Sequence, residues 1–588
     1  MDRNTVTATV LITLIIVGWM YFFSPPPPIP QGSEQAVEDS LYVDEQEEAL
    51  TPTLRATDDE ESAVDSSFAS ATQGQEQMVT VDHDLFTARF STKGARLVSF
   101  KLKEYQKADR VTPVQLVDTT AAGNGLGLSF TTPQSRNVSA RAFYFEPSQR
   151  GSLAEGDSLV IGFEAQLGAG TLRQEYVFYP DSYEVGWTIG GDNLDRVMVS
   201  GGYEVGWNGA IPFTEESKEE EVRRAGVYAR SGGEIEELTV LSDESFEETL
   251  TGQVDWVAVK SKYFAAVIIP TGETDAAYLD GLRVGEIDSP DVEETFRARI
   301  EMESLTGSES DRFRLYMGPL EYDRISAYDL DLYQMVDLGY NFLDWITRPL
   351  ARFVLIPLFT FFSTFIPNYG VIIILFALLI KIVTHPLQAK SMRSMAGMRD
   401  LQPRMTEIKE KYADDPQKQQ QAMMGLYREA GVNPLGGCLP MLLQYPIIIA
   451  LWQFLPQFLD IRQKSFLWAP DLSAPDVVFN LPFTIPLYGD FVAGFTILMG
   501  LAMVVQMKIQ MRSQPANPQM QMFTYFLPIM LFVFFNKQAA GLSLYYLFYN
   551  VFSAAQQQLI NKQMERKKEH APAEMQMADR PAKGGKNA

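Results

Sequence analysis

Three textures follow one another along the chain. Thr5 to Phe23 is an apolar run of about the 20 residues needed to cross roughly 30 Å of hydrocarbon, with Trp19 and Tyr21 where an interfacial aromatic belt lies. It predicts a membrane helix over residues 1–23. Arg3 stands beside Asp2, and the exit Ser24 to Pro30 (SPPPPIP) offers no small-residue cleavage pattern, so the helix reads as an uncleaved anchor rather than a signal peptide. Residues 24–77 are rich in Glu, Asp, Ser, Thr and Gln, a composition that buries too little apolar surface to offset the entropy of ordering, and they predict a flexible periplasmic linker. From Met78 apolar and polar positions alternate with period two in short runs bounded by turn residues, among them MVTVDHDLFTARF, SLVIGFEAQL, LRQEYVFY and VDWVAVKSKYFAAVIIP. Many short strands at close spacing predict a large antiparallel β-sandwich over residues 78–334.

The third texture is helical. Residues 335–366, with Pro349 and Pro357 as breaks, predict an amphipathic helix lying in the membrane interface. Five apolar segments follow, roughly Tyr369 to Pro386, Cys438 to Phe458, Phe491 to Ile509, Met522 to Phe535 and Leu542 to Leu559. They predict a five-helix membrane core over residues 367–560, and six spans with the anchor. Within that core, residues 387–432 read as a helical hairpin. Met392, Met395, Met398, Leu401, Met405, Ile408 and Tyr412 recur every three or four positions, Asp415-Pro416 supplies a cap and first helical position, and Gly431 with Pro434 supplies a stop. The methionine stripe is either core filler between the two arms or an adaptable surface that touches varied apolar partners.

Charge orients these segments. The 588 residues carry a formal charge of −25, divided as −33 over the first 349 and +8 over the rest. Lys and Arg crowd the hairpin and the tail 561–588, whereas the loop Leu459 to Asp490 holds only Arg462 and Lys464. The positive-inside bias therefore places hairpin, tail and both termini in the cytoplasm and the acidic sandwich in a periplasm. The basic tail either attracts anionic lipids, at about 1 kcal/mol per charge, and ribosomal RNA phosphates, or serves only as a topology signal.

Several functions are excluded. The single Cys438 allows no intramolecular disulfide, and His83, His385 and His570 match no metal-ligand spacing. No GxxxxGK[ST], HExxH or GxSxG motif occurs, and GNGLG at Gly123 to Gly127 leads into a strand where a dinucleotide site needs a helix. No cofactor, metal or small-molecule substrate is expected, and the chain does not read as an enzyme. A Lys381–Ser391 dyad would sit ten residues apart across Pro386, poorly placed for a hydrolase. A transporter would need internal repeats or a relay of acids, and neither is visible.

Lys381 is the most informative residue. It lies inside LFALLIKIVTHPL, where a charge in lipid costs about 2.5 to 3.5 kcal/mol on insertion scales. Two readings stand, a functional cation or a side chain whose stem snorkels to the headgroups near Pro386. Its polar neighbours along the spans are neutral, namely Gln444, Gln453, Gln506, Thr524, Tyr545, Tyr546 and Gln556. A cation among amides and phenols with no acid suits a hydrated groove better than an occluded ion site.

Four separated motifs carry a resemblance: MAGMRDLQPRM (Met395 to Met405), NPLGGCLPMLLQYPIIIALW (Asn433 to Trp452), LWAPDLSAPD (Leu467 to Asp476) and GLSLYYLFYNVFSAAQQQLI (Gly541 to Ile560). Together they resemble the YidC/Oxa/Alb family of membrane protein insertases, and the length, anchor and β domain are similar to its Gram-negative bacterial type. The resemblance implies a five-helix insertase core enclosing a hydrophilic groove that is closed on the periplasmic side. It implies insertion and chaperoning of nascent inner-membrane proteins, alone or beside the Sec translocon. Carried onto this sequence, the groove cation falls on Lys381, where bacterial members usually have arginine. The tyrosine pair of the last helix falls on Tyr545 and Tyr546, and Gln506 falls near a groove glutamine. Lysine keeps the charge but lacks the guanidinium fork, which puts bidentate contact to a substrate carboxylate in doubt.

Overall fold

The computed structural model describes residues 68–569 apart from 119–122, 154–156, 199–201, 240–244, 288, 290, 304, 306–308, 339–342, 432–438 and 512–517. The predicted anchor, most of the linker, Cys438 and the tail beyond residue 569 lie outside the described residues.

The period-two pattern between Met78 and Pro319 folds into three antiparallel sheets of four, nine and six strands. The nine-stranded sheet is central. Its order across the sheet is Glu234–Leu238, Gly226–Ser231, Val254–Lys260, Phe264–Pro270, Ser310–Pro319, Glu184–Asp192, Gly170–Phe178, Leu159–Leu167 and Glu146–Arg150. One part of it is covered by the four-stranded sheet, with the Phe90 ring 4.6 Å from Tyr176 and 6.0 Å from Phe178. The other part faces the six-stranded sheet, where Val254–Lys260 lies against Thr274–Val284 and Glu293–Met302. Alternate side chains point inward from both layers, so Trp187, Trp207 and Trp256 are buried, and the few buried acids are partnered, Asp280 by Arg297 and Glu294 by Arg283. GNGLG leads into the strand Gly125–Thr131, as read from the sequence. Strands Tyr203–Asn208, Gly226–Ser231, Glu234–Leu238, Ser245–Thr251 and Thr274–Val284 were not legible, because glycines and rows of Glu and Thr mask their alternation.

Two short helices, α1 (Lys218–Val222) and α2 (Tyr322–Ser326), belong to this domain. The membrane part then begins with α3 (Asp344–Leu350) and α4 (Ile356–Ser363), joined by a π turn at Ala351–Leu355. Pro349 and Pro357 do not break this segment. Pro349 lies inside α3, and Pro357 sits in the first turn of α4 directly after the π turn, where its missing amide is best tolerated. Phe359 buries itself against Phe376, Phe454 and Phe458, while Trp345, Phe353, Phe361 and Phe365 stay exposed.

Five helices follow the predicted apolar segments: α5 (Tyr369–Asp400), α8 (Leu439–Gln457), α9 (Gly494–Met511), α10 (Pro518–Phe535) and α11 (Ala540–Glu569). Between α5 and α8 lie α6 (Gln402–Lys411) and α7 (Pro416–Glu429). The methionine stripe is therefore not on one helix. It is divided at Leu401, because Pro403 in the first turn of α6 cannot continue α5. The loop after α8 holds a β-hairpin, Val477–Ile485 paired with Gly489–Ala493, that the sequence reading left as loop.

The β domain docks on the outer end of the bundle through a buried ion pair. Arg462 is 3 % exposed and meets Glu215 at 2.7 Å, donates to the Gln106 carbonyl at 2.7 Å, and lies over the rings of Tyr263 and Phe264. The Tyr263 hydroxyl donates to the Pro456 carbonyl at 2.5 Å, and Gln463 donates to the carbonyls of Gln106 and Lys107. Removing one partner of such a pair strands the other charge and costs about 3–5 kcal/mol.

Next to this contact, burial, then the like charges of Glu321 and Asp323, push the Asp460 carboxyl up to about 6. A carboxyl raised by docking binds its proton more tightly there than in water. Its contribution to docking is complete below about pH 4 and is lost as pH rises through about 6. The expected outcome is looser docking at pH 7.5 than at pH 5.5, read by a spin-label distance between the β domain and α8. Asp460→Asn should flatten that difference and tighten docking at pH 7.5 by about 1 kcal/mol.

Candidate functional site

The spacing of three and four along α5 places Lys381, Thr384 and Gln388 on one helical face. All three are buried, facing α11 and α8. The Lys381 Nζ donates to Gln388 Oε1 at 3.2 Å and sits 3.6 Å from the centre of the Tyr549 ring on α11. Gln388 Nε2 donates to Thr384 Oγ1 at 3.0 Å and to the Tyr549 hydroxyl at 3.2 Å. That hydroxyl donates in turn to Gln444 Oε1 on α8 at 2.6 Å. A continuous polar ladder thus joins three helices, and a cavity of about 10 Å³ remains beside it, lined by Ile380, Thr384, Leu387, Gln388, Gln444 and Tyr549, with Ile447 behind. This is at the size of a single water. Pro386 stands inside α5 between Lys381 and Gln388 and brings no amide to the helix there.

The cation is held without an anion. Among the described residues no carboxylate reaches Lys381, which is 7 % exposed. A desolvated cation–π contact contributes about 2 kcal/mol and a hydrogen bond to a charged group about 1.5–3 kcal/mol. Moving an ammonium out of water costs several kcal/mol even after relaxation, so these two contacts offset the cost only in part. The snorkelling reading does not describe this geometry, because the stem ends inside the bundle.

Of the residues singled out in the sequence, Lys381 and Gln444 come together. Tyr545 and Tyr546 lie behind them on α11. Tyr545 is fully buried between Phe376 and Tyr549, at ring distances of 5.9 and 5.8 Å, and Tyr546 meets Phe535 edge-on at 4.7 Å. Gln506 is half-buried on α9 and takes no part in the ladder. Gln388 and Tyr549 escaped the sequence reading, although each lies seven or four residues from one already singled out, on the same helical face. On the cytoplasmic side Met392 and Leu401 are half-buried, Met395 lies on α5, and the Tyr427 hydroxyl reaches Met405 Sδ at 3.9 Å. Between α6 and α7 runs a cleft of about 390 Å³ rimmed by Arg404, Glu407, Lys411 and Glu429, over the buried Leu426.

The comparisons with known proteins cover both halves. A family model described as "60Kd inner membrane protein" matches residues 361–568, and one described as "YidC periplasmic domain" matches residues 78–353. A protein of Chlorobium phaeovibrioides named "Membrane protein insertase YidC" is 39 % identical over 570 residues, covering 95 % of each chain. One of the same name from Chlorobaculum parvum is 36 % identical over 602 residues, covering 100 % of this chain and 99 % of the relative. The solved structure described as "Active YidC insertase crystal structure with the first transmembrane domain resolved" is 18 % identical, covers 82 % of this chain and 92 % of its own, and has a TM-score of 0.32.

Replacing the buried cation by an apolar side chain of similar length should stabilise the bundle. Lys381→Met is expected to raise the thermal unfolding midpoint in detergent, by the equivalent of about 1–4 kcal/mol. Combined with Tyr549→Leu in a double-mutant cycle, it should reveal a coupling of about 1–2 kcal/mol between the ammonium and the ring. A coupling of zero would remove the cation–π contact from the account.

Proposed function

This chain belongs to the YidC family of membrane protein insertases, and on that premise we propose how its polar ladder works. The protein inserts membrane proteins into the inner membrane and carries a large periplasmic domain. In our reading Lys381 supplies the charge that a nascent chain meets halfway across. A short acidic outer segment would otherwise cross hydrocarbon at several kcal/mol per charge. The observation that carries this reading is the Lys381 ammonium, buried yet held, among the described residues, only by an amide and a ring face. An acidic segment offers what the resting state lacks, so entry of substrate relieves a cost already present in the closed bundle.

Tyr549 is the part that must move. Its ring covers the cation and its hydroxyl ties Gln388 to Gln444, so a shift of α11 against α8 uncovers the ammonium and opens the ladder. The apolar segment of the client then leaves sideways past Tyr545 and Tyr546, driven by burial at about 25 cal/mol per Å². Gln506 serves the same path on α9. No catalytic chemistry or nucleotide enters this scheme. Both termini belong in the cytoplasm, the Sec translocon is a partner for some clients, and the basic tail meets anionic lipid or the ribosome. The hairpin residues Met392, Met395, Leu401 and Met405 receive the client before the groove does.

Two outcomes test the reading in proteoliposomes with clients that differ only in the charge of the outer segment. Lys381→Glu should lower insertion of the acidic client by about an order of magnitude and leave a neutral client near the native level, while Lys381→Arg retains most activity. Equal activity of all three proteins on both clients would end the electrostatic role. A photocrosslinker at Gln444 should capture the apolar segment of a client stalled during translation and lose it on chain release.

A further inference from the structure

The β-hairpin in the loop after α8 is built from residues that ought not to face water. Val477, Val478, Phe479, Phe483, Ile485 and Leu487 are 38–76 % exposed, and consecutive positions along the strand are open to the outside, so neither face is covered by the protein. Residues 477–489 (VVFNLPFTIPLYG) hold no charged side chain. Soluble proteins guard exposed strands with lysines or acids, and here the first strand and the turn have neither, the one acid being Asp490 at the start of the second strand.

The hairpin is held firmly. Asn536, fully buried in the turn between α10 and α11, accepts from the Ala493 amide at 2.9 Å and donates to the carbonyls of Tyr488 and Phe491 at 3.0 and 2.8 Å. Tyr488 stacks on Phe532, and Asp476 joins the Trp468 indole to the Phe495 amide at the root. The loop lies on the outer side, because Arg462 and Gln463 in it bind the β domain, and so does Pro470 through Arg110.

We propose that the hairpin Val477–Ala493 is a monotopic anchor seated in the outer-leaflet interface of the bilayer. Its apolar surface runs on into α9, whose Ile497, Leu501 and Val505 are exposed as lipid-facing positions of a span. Lipid covers both faces of a strand pair without needing a shaped partner, because apolar burial is non-directional. Depth is set by the backbone. A two-stranded hairpin has two outer edges with unpaired amides and carbonyls, which exclude it from the centre of the hydrocarbon, although Pro482 and Pro486 remove two of the donors. It therefore lies among the headgroups with Phe479 and Phe483 reaching about 5–10 Å inward.

The full chain, with Cys438→Ser and Phe483→Cys carrying an environment-sensitive fluorophore, is reconstituted into vesicles of phosphatidylcholine and phosphatidylglycerol with no other protein. Nitroxides near the headgroup end of the acyl chain should quench the label about twofold more than nitroxides near its middle. The same label at Glu234 in the β domain should be untouched by either. Because Phe483→Cys removes part of the apolar surface under test, Leu487→Cys is read in parallel. Labels at both sites that stay in water and unquenched would overturn the proposal and assign the apolar faces to a protein partner. Quenching strongest at mid-chain would equally overturn the interfacial depth.

Discussion

An ammonium sealed among helices with no anion beside it sets the terms for the rest of the bundle. The bilayer interior supplies no water, so Lys381 is held by Gln388 on α5 and Tyr549 on α11, and Tyr549 is tied in turn to Gln444 on α8. This explains why Thr384, Gln388, Gln444 and Tyr549 occupy positions where an ordinary membrane helix would carry leucine. It also explains why they are neutral. A carboxylate in any of those places would pair with the charge and saturate it.

The outer end of the same bundle is closed by a different device. Arg462 and Tyr263 lock the β domain onto the loop after α8, and Asp476, Trp468 and Asn536 brace that loop against α9 and the turn before α11. Buried charge pairs add little net stability against apolar packing, but they fix one geometry because every alternative strands a charge. With the end that carries the β domain fixed in this way, the opposite end is the less constrained one, and the motion proposed above for Lys381 would fall there. There the connections are the helices α6 and α7, joined across a charged cleft and by one exposed ion pair, Arg404 with Glu429 at 3.6 Å.

The two halves were legible in the sequence to different degrees. Period-two alternation announced the sandwich and apolar length announced the spans, since both follow from burial alone. Lys381 stood out because a lone charge in a span is costly wherever it sits. Gln388 and Tyr549 did not, because an amide or a phenol in a membrane helix is most often an ordinary interhelical tie, and only the fold shows both converging on one ammonium. The hairpin at Val477 was hidden by two prolines and by the expectation that a loop between spans is irregular. Nor can any local pattern pair Glu215 with Arg462, which lie 247 residues apart.

Lysine rather than arginine at this position follows from a count of acceptors. The ladder offers the cation one free amide oxygen, Gln388 Oε1, and the face of Tyr549, since Gln444 Oε1 is already occupied by the Tyr549 hydroxyl. An ammonium is compact enough to sit on the ring at 3.6 Å while it donates to Gln388 Oε1. A guanidinium brings five donors in a rigid plane and would leave most of them unmet against one amide oxygen and a ring face. It would need a wider, wetter groove. The closed ladder and the lysine are therefore two aspects of one solution, in which a point charge is accommodated with one amide and one ring.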